Sequence, residues 1–293
     1  MHTQKVLAVD IGGTKIHMGV FHQGRIVEEM KLATAAHAPR KKIINSIIMG
    51  IEQLMEPEIA GIGIGIPGLV DEEQGIVYDI TNIPSWKEVP LKKILEDYFK
   101  KPVYLTNDAN TFILGEKMFG RAKGCKNVVG ITLGTGFGVG IIIDEALYSG
   151  TLSSAGEFGS IQYLDQTIEA YCSGKFFLDK FGISGAEVHS MAQQGDRHAL
   201  EILKQLGHHI GEAIKLILYA LSPEAVFLGG SVSACYPYFK EAMEESVQTF
   251  PFKRVLDRLV IACSKVDNAA LLGAAALFEI KHKNIIPLQE ILK

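Results

Sequence analysis

Two short segments of this 293-residue chain share one pattern: an apolar run, a glycine turn, and a second apolar run. The first is Val6-Leu7-Ala8-Val9-Asp10-Ile11-Gly12-Gly13-Thr14-Lys15, continuing through Ile16 to Phe21. The second is Val128-Val129-Gly130-Ile131-Thr132-Leu133-Gly134-Thr135-Gly136-Phe137, continuing through Gly138 to Ile143. Apolar runs joined by a short glycine turn read as strands of a hairpin. Glycine has no side chain, so backbone N–H groups in such a turn can approach and cradle phosphate oxygens. Two copies in one chain suggest a duplicated half-domain, both halves facing one nucleotide.

The intervening sequence alternates strands with helices. Ile43, Ile44, Ile47, Ile48, Ile51 and Leu54 have helical spacing over Lys41 to Met55. Ile59 to Ile66 reads as a strand ended by Pro67-Gly68, Leu91 to Phe99 as a helix, and Pro102 to Leu105 as a short strand. A helix follows from Asn110 to Phe119. The longest helix is expected over Arg197 to Leu221, stopped by Ser222-Pro223, with Gly207 and Gly211 on one face for close packing. Ala225 to Leu228 and Leu259 to Ala262 read as strands, and Ala269 to Ile280 as a last, alanine-rich helix that returns to the first domain. This order predicts an α/β fold with mixed sheets flanked by helices. The expected domains are 1–112 plus about 268–293, and 113–267.

Composition narrows the class. Hydrophobic residues make up 47% and charged residues 21%, which suits a globular chain with sizeable cores. A net charge of −4 offers no basic excess for nucleic acid or an anionic membrane, and Arg40-Lys41-Lys42 reads as a solvated helix face. The four cysteines, Cys125, Cys172, Cys235 and Cys263, form no Cys-x-x-Cys pair, as in a reducing compartment. A cytoplasmic location is expected, since Asp10 leaves no room for a signal-peptide apolar region.

Several motifs admit two readings. Asp10 with Gly12, Gly13, Thr14 and Lys15 is either a phosphate turn, with Asp10 near the metal that accompanies ATP, or an ordinary hairpin turn; the second copy at Gly134, Thr135 and Gly136 favours phosphate. No G-x-x-x-x-G-K-[ST] string occurs, and the G-x-G-x-x-G at Gly63, Gly65 and Gly68 is broken by Pro67 and opens no helix. Asn107-Asp108 stands between a strand and a helix, where Asp108 is either a general base or a helix cap. Glu157 is a polyol-binding acid or a solvated loop acid. Glu169 is a pocket acid or a first-turn helix acid. Gly229-Gly230-Ser231 can lie against adenosine or simply turn the chain. His208-His209 reads as structural, and Trp86, in the polar and proline-broken Asn82-Ile83-Pro84-Ser85-Trp86, as a pocket-rim ring.

Asp10-Ile-Gly-Gly-Thr-Lys15, Gly65-Ile-Pro-Gly68, Asn107-Asp-Ala-Asn110, Leu133-Gly-Thr-Gly136, Gly156-Glu157 and Leu228-Gly-Gly230 occur in the order seen in the ROK family of repressors, open-reading-frame proteins and sugar kinases. The resemblance runs through Asn268-Ala-Ala-Leu-Leu-Gly-Ala-Ala-Ala276. It implies two actin-like (ribonuclease H-like) domains with a cleft between them. By the same resemblance Asp108 looks like the catalytic base. Gly68, Asn82, Asn107, Glu157 and Glu169 look like sugar ligands. Gly12, Thr14, Thr135 and Gly136 would hold phosphates, and Gly229-Gly230 would lie near adenosine. The family usually has a histidine where Ser160 stands, then a Cys-x-Cys-Gly-x-x-Gly-Cys zinc loop. Eleven residues separate Glu157 from Glu169, too few for that loop, so no zinc is predicted.

The resulting expectation is ATP- and Mg2+-dependent phosphorylation of a hexose, glucose or a close relative, at the 6-hydroxyl. The alternatives are an N-acetylhexosamine or β-glucoside kinase, and a non-catalytic sugar-sensing regulator. A repressor of this family carries a helix-turn-helix extension before the kinase-like part, and Asp10 stands almost at Met1. Small-molecule partners and a homodimer are expected, with neither nucleic acid nor membrane.

Overall fold

The structure is a computed structural model that describes the backbone of residues 4–291 and the side chains of 4–283. Contacts divide the chain into two compact units. The first comprises residues 1–123, 147–155 and 266–293, and the second 124–146 and 156–265. The division at Lys123/Gly124 differs from the expected one after residue 112, which falls inside the helix Asp108–Phe119. That helix stays with the first unit because the last helix, Ala269–Ile291, packs along it. Glycines permit the approach: a Cβ on Gly115 would lie 2.0 Å from the Ala269 carbonyl oxygen, and one on Gly273 1.6 Å from that of Thr111.

The first unit is built on a five-stranded mixed sheet. From one edge its strands are Arg25–Ala33, Lys15–His22, Lys5–Ile11, Ile59–Ile66 and Val103–Asn107. The first three form an antiparallel meander and the last two add in parallel. Helix Arg40–Leu54 buries Ile43, Ile44, Ile47, Ile51 and Leu54, the isoleucine face expected from its spacing. These join Leu7, Val9, Ile62 and Ile64 in one core. Trp86 is fully buried in the same core beside Ile80, Ile83 and Val89, which corrects the reading of a rim ring. Its backbone closes a tight turn, Trp86 N–H donating to the Ile83 carbonyl at 2.9 Å, so the polar residues around it face outward while the ring turns in.

The second unit repeats the plan. Its sheet runs Ala146–Leu147, Phe137–Ile143, Val128–Leu133, Ala225–Gly229 and Val260–Cys263, again a hairpin followed by parallel strands. Helix Arg197–Leu221 starts at Asp196, whose carboxylate caps the Ala199 N–H at 2.8 Å, and lies on helix Tyr236–Val247. Cβ atoms on Gly207 and Gly211 would lie 2.3 Å from the Phe239 carbonyl oxygen and 2.5 Å from the Ser246 Cβ, the close packing their spacing foretold.

Candidate functional site

The chemistry-bearing residues gather at the same end of each sheet. In the first unit, strand register decides which acids meet. Asp10 pairs with Gly65, and Gly65 pairs with Thr106, two residues before Asp108. The strand between the acids thus carries a hydrogen where a side chain would stand. Burial first, then the negative charge of Asp108, pushes the Asp10 carboxyl up to about 7, with Lys15 opposing. A buried carboxyl with a second acid beside it is suited to a shared cation or a shared proton.

The glycine turn beside them is braced. Gly12 N–H donates to the Lys15 carbonyl at 2.9 Å, and the buried Thr34 hydroxyl donates to the Gly12 carbonyl at 2.6 Å. No motif in the sequence singles out Thr34. Thr14 and Lys15 are exposed at the tip. Gly13 lies against Asn82: a Cβ there would stand 2.8 Å from the asparagine Cβ.

Asn107, not Asp108, caps the helix. Its Oδ1 accepts the Ala109 N–H at 2.9 Å, while its Nδ2 donates to the Gly68 carbonyl at 3.2 Å. Gly68 itself needs glycine, with φ of +90°. Asp108 opens the helix, and its Oδ1 also accepts the Ala109 N–H at 3.0 Å. Beneath this strand end, Glu72 accepts from Thr106 Oγ1 at 2.6 Å, from Ser153 Oγ at 3.0 Å and from Lys281 at 2.9 Å. Burial alone would raise its carboxyl, but the Lys281 and Thr106 hydrogen bonds hold it below the ordinary glutamate range.

In the second unit Gly134, Thr135 and Gly136 form the corresponding turn. Glu169, in the short helix Ile168–Cys172, is drawn onto it: Oε2 accepts the Phe137 N–H at 3.1 Å, and Oε1 meets the Lys175 ammonium at 2.6 Å. Gly136 leaves room for this, since a Cβ there would lie 2.7 Å from Glu169 Oε2. Glu157 begins a 3-10 turn (Glu157–Ser160), and its carboxyl is raised, by desolvation first and by the charge of Glu169 second. Glu157 and Glu169 therefore form a second acidic pair.

The link between them is the two-strand hairpin Gln162–Tyr163 and Gln166–Thr167. Tyr163 Oη lies 3.0 Å from His209 Nδ1, the His209 and Tyr171 rings are 4.7 Å apart, and the Lys180 ammonium sits 4.0 Å above Tyr171. Burial, with His208 and Lys180 adding to it, lowers the His209 imidazole to about 4, so it is neutral at pH 7. Among the described residues, no group of three or more His, Cys, Asp or Glu is placed to hold a metal ion.

Gly229 ends its strand fully buried, and Gly230 has φ of +85° with its Cβ position 2.3 Å from the Leu133 carbonyl oxygen. A cavity of about 370 Å³ opens at this corner, lined by Gly134, Thr135, Lys175, Phe177, His189 and Ser231 among others. Its size suits a nucleoside. A larger cavity of about 560 Å³, lined by Glu241, Glu244 and Glu245, shares no residue with either glycine turn.

The ROK family profile matches residues 6–281 of this chain. The chain belongs to the ROK family. It is 29% identical to the glucokinase of Thermotoga maritima, over 94% of this chain and 97% of that protein. It is 27% identical to the xylose repressor of Caldicellulosiruptor bescii, over 93% of this chain and 77% of that protein. The crystal structure of a ROK glucokinase from Streptomyces griseus, in complex with glucose and AMPPNP, superimposes with a TM-score of 0.82 at 29% identity, covering 93% of this chain and 98% of that one. The fold is thus the actin-like α/β fold of ROK sugar kinases. No described helix is long and apolar enough to cross a membrane.

Proposed function

We propose that this ROK protein transfers the γ-phosphoryl group of MgATP to the 6-hydroxyl of a hexose, glucose or a close relative. The observation that carries the reading is the acid pair of the first unit: Asp108, the first helical residue after the strand Val103–Asn107, and Asp10, raised by burial first and by the charge of Asp108 second. A hydroxyl must lose its proton as it attacks phosphorus, and a positioned carboxylate that takes it contributes about 10²–10⁴-fold in rate. Asp108 is the base in this scheme. Asn107, pinned to the Gly68 carbonyl, holds the sugar beside it, with Glu157 and Glu169 accepting further hydroxyls.

The donor chemistry fits a divalent cation, because a cation would compensate the charge of a carboxylate that is buried and stands beside a second acid. Asp10 is the residue that would hold it, and Mg2+ entering with ATP would neutralise charge that develops on the phosphates. Gly12, Gly13, Thr14 and Lys15, with Gly134, Thr135 and Gly136, offer backbone, hydroxyl and ammonium donors to phosphate oxygens. Ser231, which follows Gly229-Gly230 in the chain, lines the cavity assigned to adenosine. The hydroxyl oxygen bonds to the γ-phosphorus, the bond to the β-phosphate oxygen breaks, the proton goes to Asp108, and ADP leaves.

The likeness to the T. maritima and S. griseus glucokinases supports glucose as the first substrate to test. N-acetylhexosamines and β-glucosides are the nearest alternatives. The likeness to a xylose repressor supports a second reading, a sugar-sensing regulator without turnover. One assay separates them: ADP release by the purified protein with MgATP and a panel of glucose, mannose, xylose, N-acetylglucosamine, N-acetylmannosamine and cellobiose. Sugar-dependent ADP release carries the kinase reading, and sugar binding with no ADP release above the sugar-free rate refutes it.

A further inference from the structure

Lys175 stands at the meeting of two groups of residues that the proposed reaction uses separately. Its ammonium is 2.6 Å from Glu169 Oε1, and the same residue lines the cavity that also contains Gly134 and Thr135. The glycine turn and the start of the Lys175 helix are tied together directly, Gly174 N–H donating to the Gly134 carbonyl at 2.7 Å. The Ser173 hydroxyl caps that helix by accepting the Lys175 N–H at 3.2 Å, which fixes the backbone while the side chain stays half exposed. Among the described residues lining the cavity, Lys175 supplies the only ammonium or guanidinium.

We propose that Lys175 is a shared cation: it pairs with Glu169 when the nucleotide site is empty and moves to the phosphate oxygens of a bound nucleoside triphosphate. This rests on the kinase reading above and names a binding residue within it. The consequence follows from charge. Lys175 and a sugar hydroxyl compete for Glu169 Oε1, so an empty nucleotide site holds that oxygen occupied. A triphosphate offers the ammonium a stronger anion than one carboxylate. Its departure leaves the Glu169 carboxylate uncompensated near Glu157, whose carboxyl is raised by burial first and by the charge of Glu169 second. Hydroxyl donors from a sugar are then the available compensation. Nucleotide therefore tightens sugar, and by linkage sugar tightens nucleotide by the same factor.

The test is calorimetric titration of glucose, or of the best sugar from the panel, with and without saturating MgAMPPNP. It is run on the wild type and on Lys175→Met and Lys175→Arg, with thermal melts to show that each variant folds. The wild type is expected to bind sugar at least about 5-fold more tightly with MgAMPPNP present, the lower end of ordinary coupling. Lys175→Met should bind sugar alike in both conditions, within about 2-fold, and bind MgAMPPNP about 10-fold more weakly, as expected for loss of one charge-assisted contact. Lys175→Arg should keep most of the coupling. A Lys175→Met protein with undiminished coupling or undiminished MgAMPPNP affinity overturns the proposal while leaving the kinase reading intact, provided the wild type turns over. A wild type that neither binds MgAMPPNP nor releases ADP overturns both.

Discussion

The two glycine hairpins occupy the same place in sheets of the same design, yet the equivalent ladder position holds different chemistry. In the first sheet Asp10 pairs with Gly65 on the neighbouring parallel strand. In the second, Thr132 pairs with Gly229. Glycine is kept at the crossing point in both, while an acid in one sheet is a hydroxyl in the other. The bracing differs too. Thr34 secures the first turn from below, whereas Glu169 reaches the second from a separate helix and brings Lys175 with it. The duplicated backbone supplies turns that can approach phosphate, and on the proposed reading the side chains at equivalent points divide the labour: acids for cation and proton in one unit, neutral donors and the Lys175 cation in the other.

The largest expected break in this comparison comes from the ladder position itself. Asp10→Asn should lower kcat by about 10²-fold or more, the scale of losing a group that holds compensating charge at a transferring phosphoryl. Thr132→Val should change kcat by less than about 3-fold, since among the described residues the Thr132 hydroxyl makes a single long hydrogen bond, to the Gly138 carbonyl at 3.4 Å. Steady-state kinetics on both variants checks the asymmetry, and equal losses would remove it.

The next effect concerns the turns as backbone. Gly230→Ala places a Cβ 2.3 Å from a carbonyl oxygen in a conformation with positive φ, so it should cost about 3 kcal/mol or more. Gly12→Ala meets only the Lys15 carbonyl, at 3.1 Å, and should cost less than about 1 kcal/mol. Urea denaturation of the two variants gives the ranking.

The smallest effects are on pH dependence. His209 has a folded pKa of about 4 against 6.5 unfolded, so the unfolded chain binds more protons between those values and stability falls as pH drops through that window. Glu72 is depressed, so its contribution is present above its unfolded value of 4.5 and is lost only as pH falls through the lower folded value. Thermal melts from pH 7 to 4 should therefore flatten between pH 6.5 and 5 in His209→Gln, by less than about 1 kcal/mol at pH 6. Glu72→Gln should lower stability throughout the range above pH 4.5 and change the slope of the pH profile only below that value.

Much of the local structure was legible in the chain. The isoleucine spacing of Arg40–Leu54, the stop at Ser222 and both hairpins follow from periodicity and turn chemistry. Asp108 could be singled out because a strand ran into it and a helix ran on. What stayed hidden was long-range. No local pattern says that Gly65 would stand in register with Asp10 and Thr106, or that Glu72 would gather Thr106, Ser153 and Lys281 from three distant segments. Thr34 follows an edge strand and looks like any polar residue there until its hydroxyl reaches Gly12. Trp86 was misread because local polarity suggested exposure, while tertiary packing buried the ring. His209 and Tyr163 lie 46 residues apart, so their contact had no signature.

In the proposed reaction Asp108 takes the proton from the sugar hydroxyl. Asp108→Asn preserves the shape of that side chain and removes its basicity. Single-turnover phosphoryl transfer should be measured for this variant with the best sugar of the panel, alongside its sugar affinity and melting temperature. The account predicts a transfer rate reduced about 10²–10⁴-fold, with sugar affinity within about 3-fold of wild type and the fold intact. A folded variant that binds sugar and transfers phosphate at the wild-type rate would contradict it.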